Sequence, residues 1–128
     1  MRYTLLLHYP EPTVGELDPE ALAEGMRAFQ AYAQALDDAG ALFSAEVLQQ
    51  SNMTTTVTRA SGELVIQDGP FADTKEQLGG TFVIDVPDLD SAIEWAARAP
   101  SAAWGHVEIR PTATRFVDGR WQVAQPVR

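Results

Sequence analysis

Two amphipathic stripes with helix caps, set among β-prone segments, constrain the fold of this chain more than any other feature. The first stripe begins at Asp18-Pro19, an N-cap acid followed by proline at the first helical position. Gly40 supplies a stop, since glycine readily adopts the left-handed conformation that ends many helices. Between these signals, apolar residues recur at steps of three and four, which predicts one buried helical face. They are Leu22, Met26, Phe29, Ala33 and Leu36.

A second, shorter helix is predicted after residue 87. Asp88 suits its N-cap, and Pro100 follows its end. Its predicted buried stripe consists of Leu89, Ile93 and Ala96.

The remaining segments have the composition and alternation of strands. Residues 2–9 predict a strand in which Tyr3, Leu5, Leu7 and Tyr9 share one face and Arg2, Thr4, Leu6 and His8 share the other. Further strands are predicted at residues 41–48, 81–86 and 105–111, and a hairpin at residues 54–59 and 63–67 about Ser61-Gly62. The order of elements is that of a split βαβ sheet with helices on one face. We expect the bare face to be covered by a second copy, which predicts a homodimer.

The length predicts a single domain over residues 1–128, with a C-terminal extension from about residue 113 to residue 128. Asp118-Gly119 predicts a second hairpin in this extension. An edge strand, a dimer arm and a loose tail all remain open as its role.

The charge balance excludes several classes of partner. The 128 residues include 18 acidic and 9 basic side chains, a formal net charge of −9. Such a surface repels phosphate groups, so we expect no direct binding to nucleic acid or to an anionic membrane. Cysteine is absent from the sequence, which excludes disulfides and thiol nucleophiles. Neither a signal peptide nor a bilayer-spanning stretch is indicated, so we expect a cytoplasmic protein.

Residues 68–76, DGPFADTKE, are the stretch most typical of a functional site. Asp68-Gly69 favours a sharp turn, and Pro70 fixes its own φ and removes an amide donor. Phe71 is apolar among polar neighbours, which suggests an anchor in the core. Thr74 with Gln77 fits the capping-box pattern, so a short helical turn is predicted there. We call residues 68–76 the signature loop.

A rigid loop of this kind often carries binding or catalytic groups. Asp68 and Asp73 are the candidate catalytic carboxylates. The candidate substrate-binding residues are Gly69, Pro70, Phe71, Thr74, Lys75, Glu76, Gly79, Gly80 and His8. The alternative is a surface connection whose charges are simply solvated.

Histidines near strand ends form a second candidate group. If the first strand and residues 81–86 run parallel and adjacent, His8, Asp85 and His106 share one end of the sheet. A carboxylate beside a histidine orients the ring and raises its pKa, which suits acid–base chemistry. The alternative is a pair of ordinary hydrogen-bonded histidines. Gly79-Gly80 are expected just before the strand, where they permit close approach by a ligand or a partner subunit. The spacing indicates no metal site and no nucleotide cradle, so we expect no cofactor.

The runs DGPFADTKEQLGG, FVIDVPDLDSAIEWAARAP and VEIRP closely resemble the DGPF branch of the YCII-related proteins, over nearly all of residues 1–112. The resemblance implies a ferredoxin-like α+β fold, a split βαβ antiparallel sheet with two helices on one face. It also implies dimerisation in the manner of dimeric α/β barrels. The activity of that family is largely unassigned. Wider relatives resemble small-molecule enzymes with a His–Asp pair, which has no clear match at His8 or His106, and many DGPF members sit beside sigma-factor genes.

Three functions are consistent with these features. The first is a small homodimeric enzyme that binds a polar or cyclic metabolite between the sheet and the signature loop. Its chemistry would be cofactor-independent proton transfer, with Asp68 or Asp73 as the base and Lys75 holding an anionic substrate or enolate. The second is a non-catalytic ligand-binding or protein-interaction module associated with transcription regulation. The third is a purely structural role for the signature loop.

Overall fold

The computed structural model describes residues 1–12 and 18–124, and their elements follow the order that the sequence predicts. They are β1 (Arg2–Pro10), α1 (Pro19–Asp38), β2 (Leu42–Val47), a 3-10 turn (Ser51–Met53), β3 (Thr55–Ala60), β4 (Glu63–Asp68), β5 (Glu76–Asp85), α2 (Leu89–Arg98), α3 (Pro100–Trp104), β6 (His106–Pro111), β7 (Thr114–Val117) and β8 (Arg120–Val123). The mixed α+β class with an antiparallel sheet is confirmed. Pro100 does more than follow a helix, because it opens the additional short helix α3.

The main sheet has the strand order β2-β5-β1-β6, and each neighbouring pair is antiparallel. β1 and β2, which α1 connects, are therefore separated by β5. The expected parallel pairing of β1 with the strand of residues 81–86 is wrong. β5 runs antiparallel to both of its neighbours, which places Asp85 opposite Arg2 at the far end from His8. Arg2 Nη2 lies 2.8 Å from Asp85 Oδ2, and this hydrogen bond lowers the pKa of the Asp85 carboxyl.

The helices cover one face of this sheet. Asp18 and Asp88 accept backbone hydrogen bonds from Ala21 and Ser91 respectively, as N-caps should. Tyr32 and Leu36 of α1, with Ala92 and Ala96 of α2, pack against the strand residues Tyr3, Leu5, Leu7, Phe82 and Ile84. Each large side chain buried in this way contributes roughly 1.5–3 kcal/mol. The alternation predicted for β1 is confirmed, since Tyr3, Leu5 and Leu7 are buried and the opposite face is only half-buried.

The apolar stripe of α1 is only partly buried. Leu36 is fully buried, but Leu22 and Met26 remain 55% and 66% exposed. The first turns of α1 thus extend beyond the core, whereas Tyr32 and Leu36 further along the helix are buried. The Tyr32 hydroxyl donates to the backbone oxygen of Trp95 at 2.7 Å, and burial raises its pKa to about 12. Ile93 of α2 is also exposed, because Ala92 turns toward the sheet instead.

Gly79 and Gly80 lie inside β5, not before it. A Cβ atom at Gly79 would stand 2.2 Å from Tyr9 Cζ, and one at Gly80 would stand 2.8 Å from the Glu46 carbonyl oxygen. The close approach that these glycines permit is therefore made by β1 and β2 of the same chain.

Two hairpins stand apart from the main sheet, as β3–β4 and β7–β8. Their turns lie at the predicted residues, with positive φ at Ser61-Gly62 and Asp118-Gly119. Each hairpin leaves apolar side chains exposed, including Val57 and Ile66 in the first and Trp121 in the second. Within the described ranges, no helix combines the length and apolar character needed to cross a membrane.

Candidate functional site

Two histidine–carboxylate pairs lie side by side at one end of the main sheet. His8 and His106 face each other directly in the β1–β6 register. His8 Nε2 lies 2.6 Å from Glu108 Oε1, and His106 Nδ1 lies 2.7 Å from Glu76 Oε1. We call these four residues the histidine end of the sheet. The expectation that His8 and His106 share an end is confirmed, but Glu76 and Glu108 occupy the place expected for Asp85.

Strand register brings the four side chains together. Glu108 follows His106 by two residues, so both side chains point to the same face of β6. Glu76 begins β5 opposite Pro10, two residues beyond His8. Gly105 completes the arrangement, because a Cβ atom there would stand 2.0 Å from the His8 carbonyl oxygen and 2.8 Å from Glu76 Oε1. A side chain at this position would push β6 away from both groups.

The two pairs differ in their exposure. His8 is the more enclosed histidine, with 27% of its side chain exposed, whereas 78% of the His106 side chain is exposed. The hydrogen bond that His106 donates to Glu76, together with the negative charge of that carboxylate, raises the pKa of His106 above its usual value. An imidazole held by a carboxylate can accept or release a proton near neutral pH.

A cleft with a volume of about 540 Å³ opens between the histidine end and the signature loop. Its wall combines apolar side chains with hydroxyl and amide groups. The lining residues are His8, Leu48, Gln49, Gln50, Ser51, Met53, Thr54, Thr56, Pro70, Phe71, Ala72, Thr74, Glu76, Gln77 and Leu78.

Hydrogen bonds tie the cleft wall to the sheet. Glu11, just beyond β1, accepts hydrogen bonds from the Ser51 amide at 2.6 Å and from the Ser51 hydroxyl. At the base of the signature loop, the Gly69 amide donates to the Thr54 oxygen at 2.7 Å. The Thr56 hydroxyl donates to the Gly69 oxygen at 2.8 Å. The wall is thereby held by both the β1 end and the β3–β4 hairpin.

The signature loop contributes to the cleft through its middle and its end. Pro70, Phe71, Thr74 and Glu76 line it, together with His8. Phe71 is 87% exposed, so the predicted core anchor is wrong. Its side chain stands at the cleft rim because Pro70 and the turn at Gly69 carry the loop outward from β4.

The predicted helical turn at Thr74 is also wrong. The Thr74 hydroxyl donates to the Glu76 oxygen at 2.6 Å, and the Gln77 amide donates to the Thr74 oxygen at 3.0 Å. These bonds lead the chain directly into β5, because the ladder with β1 already begins at Glu76.

The other residues predicted for the site lie outside the cleft lining. Asp68, Asp73 and Lys75 are exposed. Asp68 ends β4, and its carboxylate and that of Asp73 make no hydrogen bond or ion pair within residues 1–12 and 18–124. Gly69 turns the loop with a φ of 96°, and Gly79 and Gly80 support strand packing. The structure thus brings His8 and Glu76 together with Pro70, Phe71 and Thr74, and leaves the two aspartates in solvent.

Glu108 and Glu11 are site residues that sequence reasoning missed. Glu108 could have been found from its two-residue spacing to His106, which puts both on one face of a strand. Glu11 carried no comparable signal, because it follows the end of a strand in a proline-containing segment. Among the described residues, no group of three or more histidine or acidic side chains is placed to hold a metal ion.

Comparison with known proteins gives two matches. The family model described as the YCII-related domain matches residues 1–114. A protein of Rhizobium meliloti (strain 1021), named as uncharacterized, is 33% identical over 115 residues. That alignment covers 88% of this chain and 93% of the relative. The signature loop and all four residues of the histidine end lie within the matched residues 1–114.

Proposed function

The chain belongs to the YCII-related domain family, as its resemblance predicted, and from this premise we propose that it binds a small metabolite in the cleft and transfers a proton through His8. The observation that carries the proposal is the position of His8, which lines the cleft and lies 2.6 Å from Glu108. A cofactor-independent isomerase or lyase needs a base of this kind beside a bound molecule.

In this proposal each nitrogen of the His8 ring has a separate task. Nε2 is held by Glu108, which orients the imidazole. Nδ1 is then the nitrogen that exchanges a proton with the ligand. In an isomerisation, His8 takes a proton from the carbon next to a carbonyl group and returns it to another atom of the same molecule. In an elimination, His8 takes the same proton while the bond to a leaving group on the neighbouring carbon breaks; the leaving group keeps the electron pair and receives the proton from His8.

Asp68 and Asp73 remain the rival bases that the sequence predicts. Both are exposed and lie outside the cleft lining, so neither carboxylate stands beside a molecule bound in the cleft. His8 lines the cleft and is therefore the base that such a molecule would meet.

We also propose that the protein works as a homodimer that covers the bare face of its main sheet, in the manner of dimeric α/β barrels. Leu6 and Val83 lie on this face beside half-buried polar residues, and Phe43 is exposed at its edge. An apolar group of this kind is stabilised when a second sheet packs on it.

Proton exchange in D2O tests the catalytic part of the proposal. A panel of cyclic ketones, lactones and lactams is incubated with the protein, and loss of the signal from protons next to the carbonyl is followed by 1H NMR. We expect wild-type protein to speed exchange of at least one compound. His8→Gln should reduce that rate about 10²–10⁴-fold, the usual contribution of a general base.

Asp68→Asn and Asp73→Asn are the matched controls, and we expect both to keep most of the activity. If either aspartate variant loses exchange while His8→Gln retains it, the assignment to His8 is wrong. If compounds bind in the cleft without any exchange, the non-catalytic ligand-binding module is the correct function.

A further inference from the structure

Three hydroxyl groups of the cleft wall already donate their protons within the protein. The hydroxyl protons of Ser51, Thr56 and Thr74 are donated to Glu11, to the Gly69 oxygen and to the Glu76 oxygen. A hydroxyl has one proton and two lone pairs, so these three groups can only accept from a bound molecule.

The side chains of Gln77 and Glu76 extend this pattern. One amide proton of Gln77 is directed to the Thr74 oxygen at 3.0 Å, which leaves its carbonyl oxygen as an acceptor beside its second amide proton. Glu76 uses Oε1 for His106, and its second carboxylate oxygen is also an acceptor.

The charge of the cleft also disfavours an anionic ligand. Among the described residues, no lysine or arginine lines it, while Glu76 does. Glu108 and Glu11 stand directly behind His8 and Ser51. An anionic ligand would meet unpaired acceptors and like charge, whereas a ligand with N–H groups would satisfy the acceptors.

We propose that the cleft takes an uncharged or cationic ligand that donates N–H hydrogen bonds from a flat, partly apolar body, and that it discriminates against carboxylates and phosphates. The apolar part would contact Met53, Phe71 and Leu78, which line the same cleft. This inference rests on the proposed binding site and names the chemical class that the site accepts. It also reverses the sequence-based expectation that Lys75 holds an anionic substrate, since Lys75 lies outside the lining.

Three probes with the same ring and different charge test the inference directly. Benzamidine is a cation with donors only, benzamide is neutral with donors and one acceptor, and benzoate is an anion with acceptors only. Each is titrated into the 15N-labelled full chain at neutral pH, and Kd is taken from amide shifts of the cleft residues. One like charge about 6 Å away, at an effective dielectric constant of about 40, weakens binding about tenfold.

We therefore expect benzamidine and benzamide to bind at least about tenfold more tightly than benzoate. Glu76→Gln should reduce the difference in Kd between these two probes and benzoate, because it removes the carboxylate from the cleft wall. Glu63→Gln is the matched control, at the turn of the β3–β4 hairpin and outside the cleft lining. It should leave the difference in Kd between the probes unchanged.

The outcomes separate the inference from the proposed function. If benzoate binds in the cleft as tightly as benzamide or more tightly, the proposed ligand class is wrong while the binding site stands. If none of the three probes shifts the cleft residues, the binding site itself is wrong and the inference falls with it. An unchanged preference in Glu76→Gln contradicts the role given to charge.

Discussion

Replacing Gly105 by alanine tests the contact on which the histidine end depends. An added Cβ atom would stand 2.0 Å from the His8 carbonyl oxygen and 2.8 Å from the Tyr9 Cα atom. Non-bonded carbon and oxygen atoms normally stay more than about 3 Å apart, so the backbone must separate by about 1 Å. Both neighbours are backbone atoms of β1, and they cannot rotate away as a side chain would.

The expected loss of stability follows from that displacement. Strain from overpacking costs about 1–3 kcal/mol. Weakening the last backbone hydrogen bond between β1 and β6 costs about 1 kcal/mol more. We therefore expect the free energy of unfolding to fall by about 2–4 kcal/mol, measured by urea denaturation followed by circular dichroism.

Gly25→Ala is the matched control, because it is the same chemical change in the interior of α1. The nearest atom to a Cβ atom there is Trp104 Cη2 at 3.9 Å, an ordinary contact. Alanine favours helix over glycine, so this variant should gain roughly 0.5–1 kcal/mol. If Gly105→Ala is as stable as the wild type, the close approach between β6 and β1 is refuted.

The remaining predictions concern the exposed histidine and the assembly. His106 should titrate above its ordinary pKa of 6.5, and Glu76→Gln should return it toward that value in an NMR titration of the ring. Because the pKa of His106 is raised in the folded state, the stabilisation from its pairing with Glu76 is complete below pH 6.5 and is lost as the pH rises through the raised pKa. An unchanged His106 pKa in Glu76→Gln contradicts the pairing. Sedimentation equilibrium tests the homodimer. Wild-type and Met26→Lys protein should give twice the chain mass of 14.0 kDa. Val83→Lys should give 14.0 kDa, because its lysines would meet across the two sheets. A wild-type mass of 14.0 kDa would refute the dimer.

In the proposed site the signature loop has a structural role. Its backbone turn and its links to Thr54 and Thr56 shape one wall of the cleft, while its two aspartates face solvent. The acids remain candidates for contact with a partner or a ligand. The chemistry, however, is better placed on the strand residues His8 and Glu108, which a sheet holds more rigidly than a loop does.

Local signals in the sequence determined the type and order of the elements. Asp18 and Asp88 cap the helices as predicted, and Ser61-Gly62 and Asp118-Gly119 turn the hairpins. The alternation along β1 also predicted that Tyr3, Leu5 and Leu7 share one face, which is the buried one. Each of these features depends on residues a few positions apart, whose interactions hold whatever the rest of the chain does.

Only the tertiary structure decided which groups meet. His8 and Glu108 are 100 residues apart in the chain, and His106 and Glu76 are 30 apart. Both contacts depend on strand direction and register, and reversing one strand would have placed Asp85 where Glu76 stands. The exposure of Phe71 and of the first turns of α1 could not be predicted either, because periodicity predicts an apolar face but not how far the opposing layer extends. The cleft exists because three separate segments converge at one end of the sheet.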